Sequence, residues 1–161
     1  VIHRVRHIVE PQIPARGIEL TCAISSDVRI LADSDKVEQV LLNLLTNAVK
    51  FTAAGGRIEI RACSRNRYGE IAIVDSGCGI PAHQIETIFD PFVQLDKSHT
   101  RETSGVGLGL AISRELTRGM GGDIRVHSTV GVGSVFVVSL PLAEKAEMAP
   151  GRALRNTHTR A

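Results

Sequence analysis

The octapeptide NLLTNAVK, Asn43–Lys50, decides the fold, because its polar and apolar residues separate onto two sides of one helix. At 100° per residue, Asn43, Asn47 and Lys50 fall within a stripe about 60° wide. Two amides and an ammonium on one side of a helix can line a polyphosphate, and a solvated polar helix face is the alternative. The apolar residues fall on another arc and are predicted to face the core: Val37, Leu41, Leu44, Leu45 and Ala48.

The segment DSGCGIP, Asp75–Pro81, follows an apolar run that reads as a buried strand. Gly77 and Gly79 permit positive φ and let a flat ligand approach the backbone. The Asp75 carboxylate only accepts hydrogen bonds, so it can receive the exocyclic amino group of adenine, whereas guanine presents an acceptor there. The alternative is that Asp75 caps the turn and the glycines only bend the chain.

The segment GVGLGL, Gly105–Leu110, runs directly into a predicted helix. Its GxGxG spacing differs from the dinucleotide fingerprint GxGxxG, and the chain has no GxxxxGK[ST] motif. Unpaired N–H groups and the positive end of the helix dipole can meet a phosphate there, and a glycine hinge without ligand is the alternative. Together the three segments indicate a site for a purine nucleotide and its phosphates.

Composition fits one domain and excludes several other classes of protein. The chain has 161 residues, 43% of them hydrophobic, and only 3% aromatic residues. Residues 1–143 carry 15 basic and 15 acidic side chains, which gives no argument for nucleic-acid binding. Three separated cysteines without a CxxC pair favour a reducing cytoplasm, and no apolar run approaches the ~20 residues of a membrane span. We therefore expect no membrane contact by this domain.

The chain reads as a remnant of a preceding helix or linker at 1–17, a domain at 18–142 and a flexible tail or linker at 143–161. Val93–Ser104 is polar and aperiodic and is predicted to be a loop that acts as a lid. The predicted fold is a two-layer α/β sandwich, with a mixed sheet covered by helices on one face. The predicted strands are Ile18–Ile24 and Val28–Leu31 as a hairpin, Arg57–Ser64, Glu70–Val74, Asp123–His127 and Ser134–Leu140. The predicted helices run from a cap at Asp33 or Ser34 to about Phe51, over Pro81–Ile88 and over Leu108–Arg118.

In this order the motifs resemble the catalytic and ATP-binding domain of sensor histidine kinases, in the GHKL superfamily with gyrase, MutL proteins and heat-shock chaperone ATPases. The resemblance covers roughly 18–142 and implies a Bergerat-type ATP-binding fold with a mainly antiparallel sheet. It is carried by an asparagine box Asn47–Thr52, a first glycine box Asp75–Gly79, a phenylalanine box Phe89–Phe92, a second glycine box Gly105–Gly109 and a late Gly131–Ser134.

The resemblance also implies a role for individual residues. Asn43 would line the phosphates, Asn47 would bind Mg²⁺ as well as nucleotide, Lys50 would contact phosphate, and Phe51 would lie near the ribose. Asp75 would hold the adenine amino group. The base pocket would be shaped by Gly77, Gly79 and Ile80, and the phosphate side by Gly105, Gly107, Leu108, Gly109 and Leu110.

By the same resemblance the chain would be a protein-histidine kinase fragment that uses ATP and Mg²⁺. Hydrolytic relatives have a Glu where this chain has Asn43, and an amide cannot act as a general base at neutral pH. The acceptor histidine would lie on a separate dimerisation domain, because none of the six histidines here has the family's acceptor setting. A response regulator would receive the phosphoryl group next. The alternatives are a degenerate nucleotide-binding regulatory module and a serine-directed GHKL kinase.

Two residues are expected to depart from the family pattern. Val135 precedes Phe136 where a Thr is expected to stand behind the base-binding Asp75, which would remove a hydroxyl from the base pocket. Cys78 lies between the two glycines of the first glycine box and is expected to be a buried, inert thiol.

Overall fold

A five-stranded sheet with helices on one face forms the body of the protein. The computed structural model describes residues 1–25, 28–93 and 107–143. The strands are β1 (Glu19–Ile24), β2 (Arg57–Arg65), β3 (Tyr68–Asp75), β4 (Asp123–Thr129) and β5 (Gly133–Pro141). The helices are α1 (Ile2–Val9), α2 (Gln12–Ala15), α3 (Ser34–Phe51) and α4 (Gly109–Gly119). The two-layer α/β sandwich expected from the sequence is confirmed.

Strand order in the sheet is β1-β2-β3-β5-β4. β1 pairs with β2 in parallel, and the other three pairs are antiparallel, as expected for a mixed, mainly antiparallel sheet. Alternate residues point to the helices, because side chains alternate between the two faces of a strand. The buried face is formed by Ile58, Ile60 and Ala62 of β2, Ile71 and Ile73 of β3, Ile124 of β4, and Phe136, Val138 and Leu140 of β5.

Helix α3 is the main element of the helical layer. The Asp33 carboxylate caps it by accepting the backbone N–H groups of Asp35 and Lys36 at 3.0 and 3.2 Å. Its apolar stripe is buried in the core as predicted, through Val37, Leu41, Leu44, Leu45 and Ala48, and Val40 and Val49 are buried as well. The predicted cap and the predicted end of this helix at Phe51 are both confirmed.

The N-terminal segment packs onto α3. Val5, Val9 and Ile13 belong to the same buried cluster as the apolar residues of α3. The Arg16 guanidinium donates to the backbone carbonyls of Val49 and Lys50 at 3.0 and 3.3 Å. A cation there stabilises the carboxyl end of α3, where unpaired carbonyls and the negative end of the dipole lie.

The predicted hairpin of Ile18–Ile24 with Val28–Leu31 is wrong. β1 pairs with β2, and Ile30 instead forms an isolated antiparallel bridge with Leu142. Ile30 also packs on Gly69, where a Cβ would lie 2.7 Å from its Cγ1. Apolar alternation predicted a strand here, but four residues do not specify which neighbour they pair with.

The helix predicted over Pro81–Ile88 is also wrong, because the chain forms two separate 3₁₀ turns there, Ala82–Gln84 and Thr87–Phe89. The other predicted elements exist, with ends that differ by one or a few residues. Residues 94–104 of the predicted lid and residues 144–161 of the predicted tail lie outside the described part of the chain. Within the described ranges, no helix is both long and apolar enough to cross a membrane.

Removing buried volume from α1 should destabilise the whole domain. Val9 is 1% exposed and Ile8, beside it, is 50% exposed. We expect Val9→Ala to lower the free energy of unfolding by about 2 kcal/mol, because it leaves a cavity against α3. Ile8→Ala is the control and should change it by about 0.5 kcal/mol or less. Urea denaturation measures both, and equal effects would contradict the packing of α1 on the core.

Candidate functional site

One face of α3 carries the three polar residues singled out by the helical wheel. Asn43, Asn47 and Lys50 are each half-buried, which places them at the edge of the helical layer rather than inside it. The Lys50 Nζ lies 5.1 Å from the centre of the Phe51 ring, a distance typical of a cation–π contact. The stripe thus ends in an ammonium beside an aromatic ring that is 37% exposed.

Asp75 ends β3 and lies against the carboxyl end of α3. The backbone N–H of Gly77 donates to Asp75 Oδ1 over 2.8 Å, and the N–H of Cys78 donates to the Phe51 carbonyl over 3.3 Å. A Cβ at Gly77 would lie 2.6 Å from that carbonyl oxygen and 2.7 Å from Asp75 Oδ1. Glycine is therefore required at position 77 by space, because α3 and Asp75 already fill the room a side chain would need.

A row of hydroxyls supports the Asp75 turn from the β4–β5 side. Ser134 pairs with Asp75 across the sheet, and its backbone N–H bonds the carboxylate. The Ser134 and Ser128 hydroxyl oxygens lie 2.9 Å apart, and Ser128 Oγ accepts the backbone N–H of Ile80 over 2.7 Å. The network ties the aspartate and Ile80 to the same two strands.

The expectation that Val135 removes a hydroxyl from behind Asp75 is wrong. In the β3–β5 register Asp75 pairs with Ser134, while Val135 pairs with Val74. Side chains of successive residues point to opposite faces, so Val135 lies on the other face of the sheet. The residue behind the aspartate is Ser134, which does carry a hydroxyl.

Burial changes the acidity of Asp75. The side chain is mostly removed from water, and the residue is 8% exposed. Desolvation raises the pKa of Asp75 above its ordinary value of 3.8, and the N–H donors of Gly77 and Ser134 oppose this rise without cancelling it. A ligand that donates a hydrogen bond to the carboxylate would stabilise its charged form.

The rest of the first glycine turn packs on the β4–β5 connection. Gly79 has φ 72°, and a Cβ there would collide with the carbonyl of Thr129. The N–H of Gly131 donates to the Cys78 carbonyl over 2.8 Å. The Cys78 thiol is exposed rather than buried, because the turn directs it away from these contacts, so the expectation of a buried thiol is wrong.

The second glycine segment meets α3 at the opposite end of the polar stripe. Gly107 has φ 76°, and its carbonyl accepts the N–H of Phe92 over 3.0 Å. Leu108 precedes the first residue of α4, Gly109, and Leu110 packs against the core. Gly105 lies outside the described residues.

Sequence reasoning singled out the polar and glycine residues of the candidate site and missed the residues that hold them in place. Ser113 and Thr117 of α4 and Ser128 of β4 escaped notice because a single Ser or Thr carries no motif. The sequence of α4 did contain a signal. Ser113 and Thr117 both fall on the apolar side of this helix, where a buried hydroxyl needs a hydrogen-bond partner. Asn43 is that partner for Ser113, with 2.9 Å between Asn43 Nδ2 and Ser113 Oγ.

Asn47 is the residue that the sequence analysis named as a metal ligand. Asn47 offers a neutral oxygen of the kind that Mg²⁺ accepts beside phosphate oxygens and water. Across residues 1–25, 28–93 and 107–143, no group of three or more His, Cys, Asp or Glu side chains could hold a metal ion. The donor set thus fits a cation that is shared with phosphates.

Comparison with protein families gives a match over most of the domain. The family model described as "Histidine kinase-, DNA gyrase B-, and HSP90-like ATPase" matches residues 32–144. The sensor histidine kinase RcsC of Escherichia coli (strain K12) is 40% identical over 134 residues, which are 82% of this chain and 14% of RcsC. The chain spans less than a quarter of the length of the curated relatives it matches.

Solved structures of histidine kinases share this fold. The nucleotide-free catalytic domain of histidine kinase ThkA matches with TM-score 0.77 and 31% identity, over 88% of this chain and 91% of that one. ThkA in complex with response regulator protein TrrA matches with TM-score 0.73 and 28% identity, over 88% and 39%. Full-length ShkA in complex with AMPPNP matches with TM-score 0.77 and 35% identity, over 88% and 29%.

Burial of Asp75 should make the stability of the folded protein depend on pH. The folded-state pKa of Asp75 lies above 3.8, so the folded protein binds the proton more tightly than the unfolded chain. The contribution of Asp75 to stability is therefore fully present below pH 3.8 and is lost as pH rises through the higher folded-state pKa. Denaturation across this pH window gives the free energy of unfolding of the wild type and of the non-titrating Asp75→Asn variant. The wild-type value minus the variant value should fall as pH rises, and a rise would contradict the raised pKa.

Proposed function

We propose that this chain transfers a phosphoryl group from ATP. It belongs to the histidine kinase-, DNA gyrase B-, and HSP90-like ATPase family and has the ATP-binding catalytic domain of the sensor histidine kinases in that family. In the proposed reaction it binds ATP and donates the γ-phosphoryl group to a histidine on a separate domain. The observation that carries the proposal is that both glycine turns contact α3. One meets its carboxyl end at Phe51, and the other meets Asn43, about 12 Å away along the helix.

Asp75 is the proposed adenine-binding residue. Its carboxylate already accepts N–H groups from Gly77 and Ser134 and has remaining lone pairs for the exocyclic amino group of adenine. Gly77, Gly79 and Ile80 would form the wall of the base pocket, because the glycines add no side chain and Ile80 is an apolar, buried neighbour. Guanine places an oxygen at the same edge, so the carboxylate would reject it.

The α3 stripe is the proposed phosphate-binding surface. Lys50 would supply a positive charge to phosphate oxygens, with Phe51 near the ribose, and Asn43 would donate an amide N–H. Asn47 would hold Mg²⁺ through its amide oxygen, and the ion would neutralise charge on the phosphates when bound. Gly105, Gly107, Leu108, Gly109 and Leu110 are proposed to close the phosphate side from the start of α4.

The amide at position 43 favours phosphoryl transfer over hydrolysis. A general base must accept a proton from water, and the amide of Asn43 has no basic site at neutral pH. Transfer of a phosphoryl group requires mainly positioning and charge neutralisation, which the stripe on α3 provides. We therefore expect slow intrinsic hydrolysis of ATP. A serine-directed kinase of the same family would use the same donor site, and only the acceptor distinguishes it.

A degenerate, non-transferring module is the less favoured alternative. A hydroxyl missing at Val135 would have counted weakly for it, and Ser134, which pairs with Asp75, carries a hydroxyl. The polar residues of α3 and the carboxylate of Asp75 are all in place along one helix and the adjoining turn.

The proposed partners are a histidine-containing dimerisation domain of the same protein and a response regulator receiver domain. Histidine kinase ThkA forms a complex with the response regulator protein TrrA, which supports the second partner. We propose that the domain itself spans 18–142, with 1–17 as the remnant of a preceding helix or linker, 93–104 as its lid and 143–161 as a flexible tail or linker. A cytoplasmic location fits the use of ATP and the unpaired thiols of Cys22, Cys63 and Cys78.

Phosphotransfer in trans tests this function. We expect this chain, supplied with radiolabelled ATP and Mg²⁺, to label the histidine of a dimerisation domain from a related kinase, and to lose that activity when Mg²⁺ is chelated. Lys50→Ala should reduce labelling by roughly tenfold or more, since it removes a charge from the phosphates. Thr46→Ala, on an exposed part of the same helix, is the matched control. Turnover of ATP to ADP at the rate of a dedicated ATPase, with no labelled histidine, would contradict the proposal.

A further inference from the structure

The amide of Asn43 is held between two residues of α4 rather than standing free on the surface of α3. Its Nδ2 donates to Ser113 Oγ over 2.9 Å, and Ser113 is 2% exposed. On the other side, a Cβ built at Gly109 would collide with Asn43 Oδ1 and would come within 3.1 Å of Nδ2. Gly109 and Ser113 are four residues apart, one turn of α4, and so present neighbouring surfaces to α3.

Gly109 is required by this contact and not by its backbone conformation. It is absent from the glycines with positive φ, which include Gly107 two residues earlier. Ala is a better helix former than Gly, so a glycine at the first residue of α4 would be disfavoured if the space beside it were empty. At the other end of α4, Gly119 has nothing within 4 Å of a built Cβ. The three atoms nearest to a Cβ built at Gly109 all belong to the Asn43 side chain, so Asn43 would have to move to admit a side chain at position 109.

Thr117 is a second buried hydroxyl residue of α4, one turn after Ser113. It is fully buried, and its hydroxyl donates to the backbone carbonyl of Ser113 over 2.7 Å. Its hydrogen bond is therefore satisfied inside α4. The Thr117 hydroxyl is thus buried on the same helix as the Ser113 hydroxyl, but its partner is a backbone carbonyl instead of Asn43.

We propose that Ser113 and Gly109 are positioning residues for Asn43. Ser113 fixes one N–H of the amide and Gly109 leaves room for its oxygen, so that the second N–H faces a phosphate oxygen of bound ATP. This inference rests on the proposed function for the phosphate contact, while the interhelical contact itself stands on the geometry. It assigns Gly109 an indirect part in phosphate binding, through Asn43. It also links the position of α4 to phosphate affinity, because a shift of α4 along α3 would release the amide.

A double-mutant cycle in affinity tests the role of Ser113. We expect Ser113→Ala to weaken binding of Mg·ATP to the 161-residue chain about fivefold, the loss of one hydrogen bond. In an Asn43→Ala background the same substitution should change affinity less than about twofold, because the amide it positions is gone. Thr117→Val is the control and should leave affinity within about twofold. Equal weakening in both backgrounds, or none in the wild-type background, would overturn the positioning role.

A second cycle in stability tests Gly109 and does not depend on nucleotide. We expect Gly109→Ala to lower the melting temperature by about 5 °C and the same substitution in the Asn43→Ala background to leave it unchanged or raise it. Gly119→Ala should not lower it in either background. An equal loss in both backgrounds would overturn the contact. A wild-type chain that binds no ATP would overturn the proposed function and the phosphate role of Asn43, while this second cycle still decides the interhelical contact by itself.

Discussion

The structure depends on one constraint, which is that α3 must bury its apolar side in the core and keep its polar stripe and its carboxyl end available to the two glycine turns. Its apolar stripe belongs to the same buried cluster as the inner faces of β2, β3 and β5, which fixes the rotation of the helix and hence the direction of Asn43, Asn47 and Lys50. The two glycine turns then pack against α3 itself. Gly77 is confined by the Phe51 carbonyl and Gly109 by the Asn43 amide, so two of the glycines in the motifs are fixed by contact with one helix.

The carboxylate of Asp75 is a buried hydrogen-bond acceptor that still has lone pairs for a further donor. Burial raises its pKa, while two backbone N–H groups keep it oriented and partly compensated. A buried acceptor with unused lone pairs is costly in an empty site and becomes favourable when a ligand supplies a donor. The hydroxyls of Ser128 and Ser134 hold the surrounding backbone, so the orientation of the carboxylate is set before any ligand arrives.

The features that local pattern determines could be predicted from the sequence. The cap at Asp33, the apolar stripe of α3 and the strand that ends in Asp75 follow from capping chemistry and periodicity, and the structure has all three. Pairing partners could not be predicted, since four residues around Ile30 fit several neighbours and the bridge to Leu142 joins residues 112 positions apart. The error at Val135 was one of register, because a shift of one residue moves a side chain to the opposite face of the sheet. Ser113 was missed since its importance lies entirely in a tertiary contact with Asn43.

The measurement that tests the account most directly is calorimetric titration of the chain with ATP and with GTP, in the presence of Mg²⁺, for the wild type and for Asp75→Asn. We predict that the wild type binds ATP and discriminates against GTP, because the carboxylate would accept from the adenine amino group and would repel the guanine oxygen. Asp75→Asn should weaken ATP binding by roughly tenfold and reduce the discrimination, since an amide can present either a donor or an acceptor. ATP affinity unchanged by Asp75→Asn, or equal binding of both nucleotides by the wild type, would contradict the assignment of the base to Asp75.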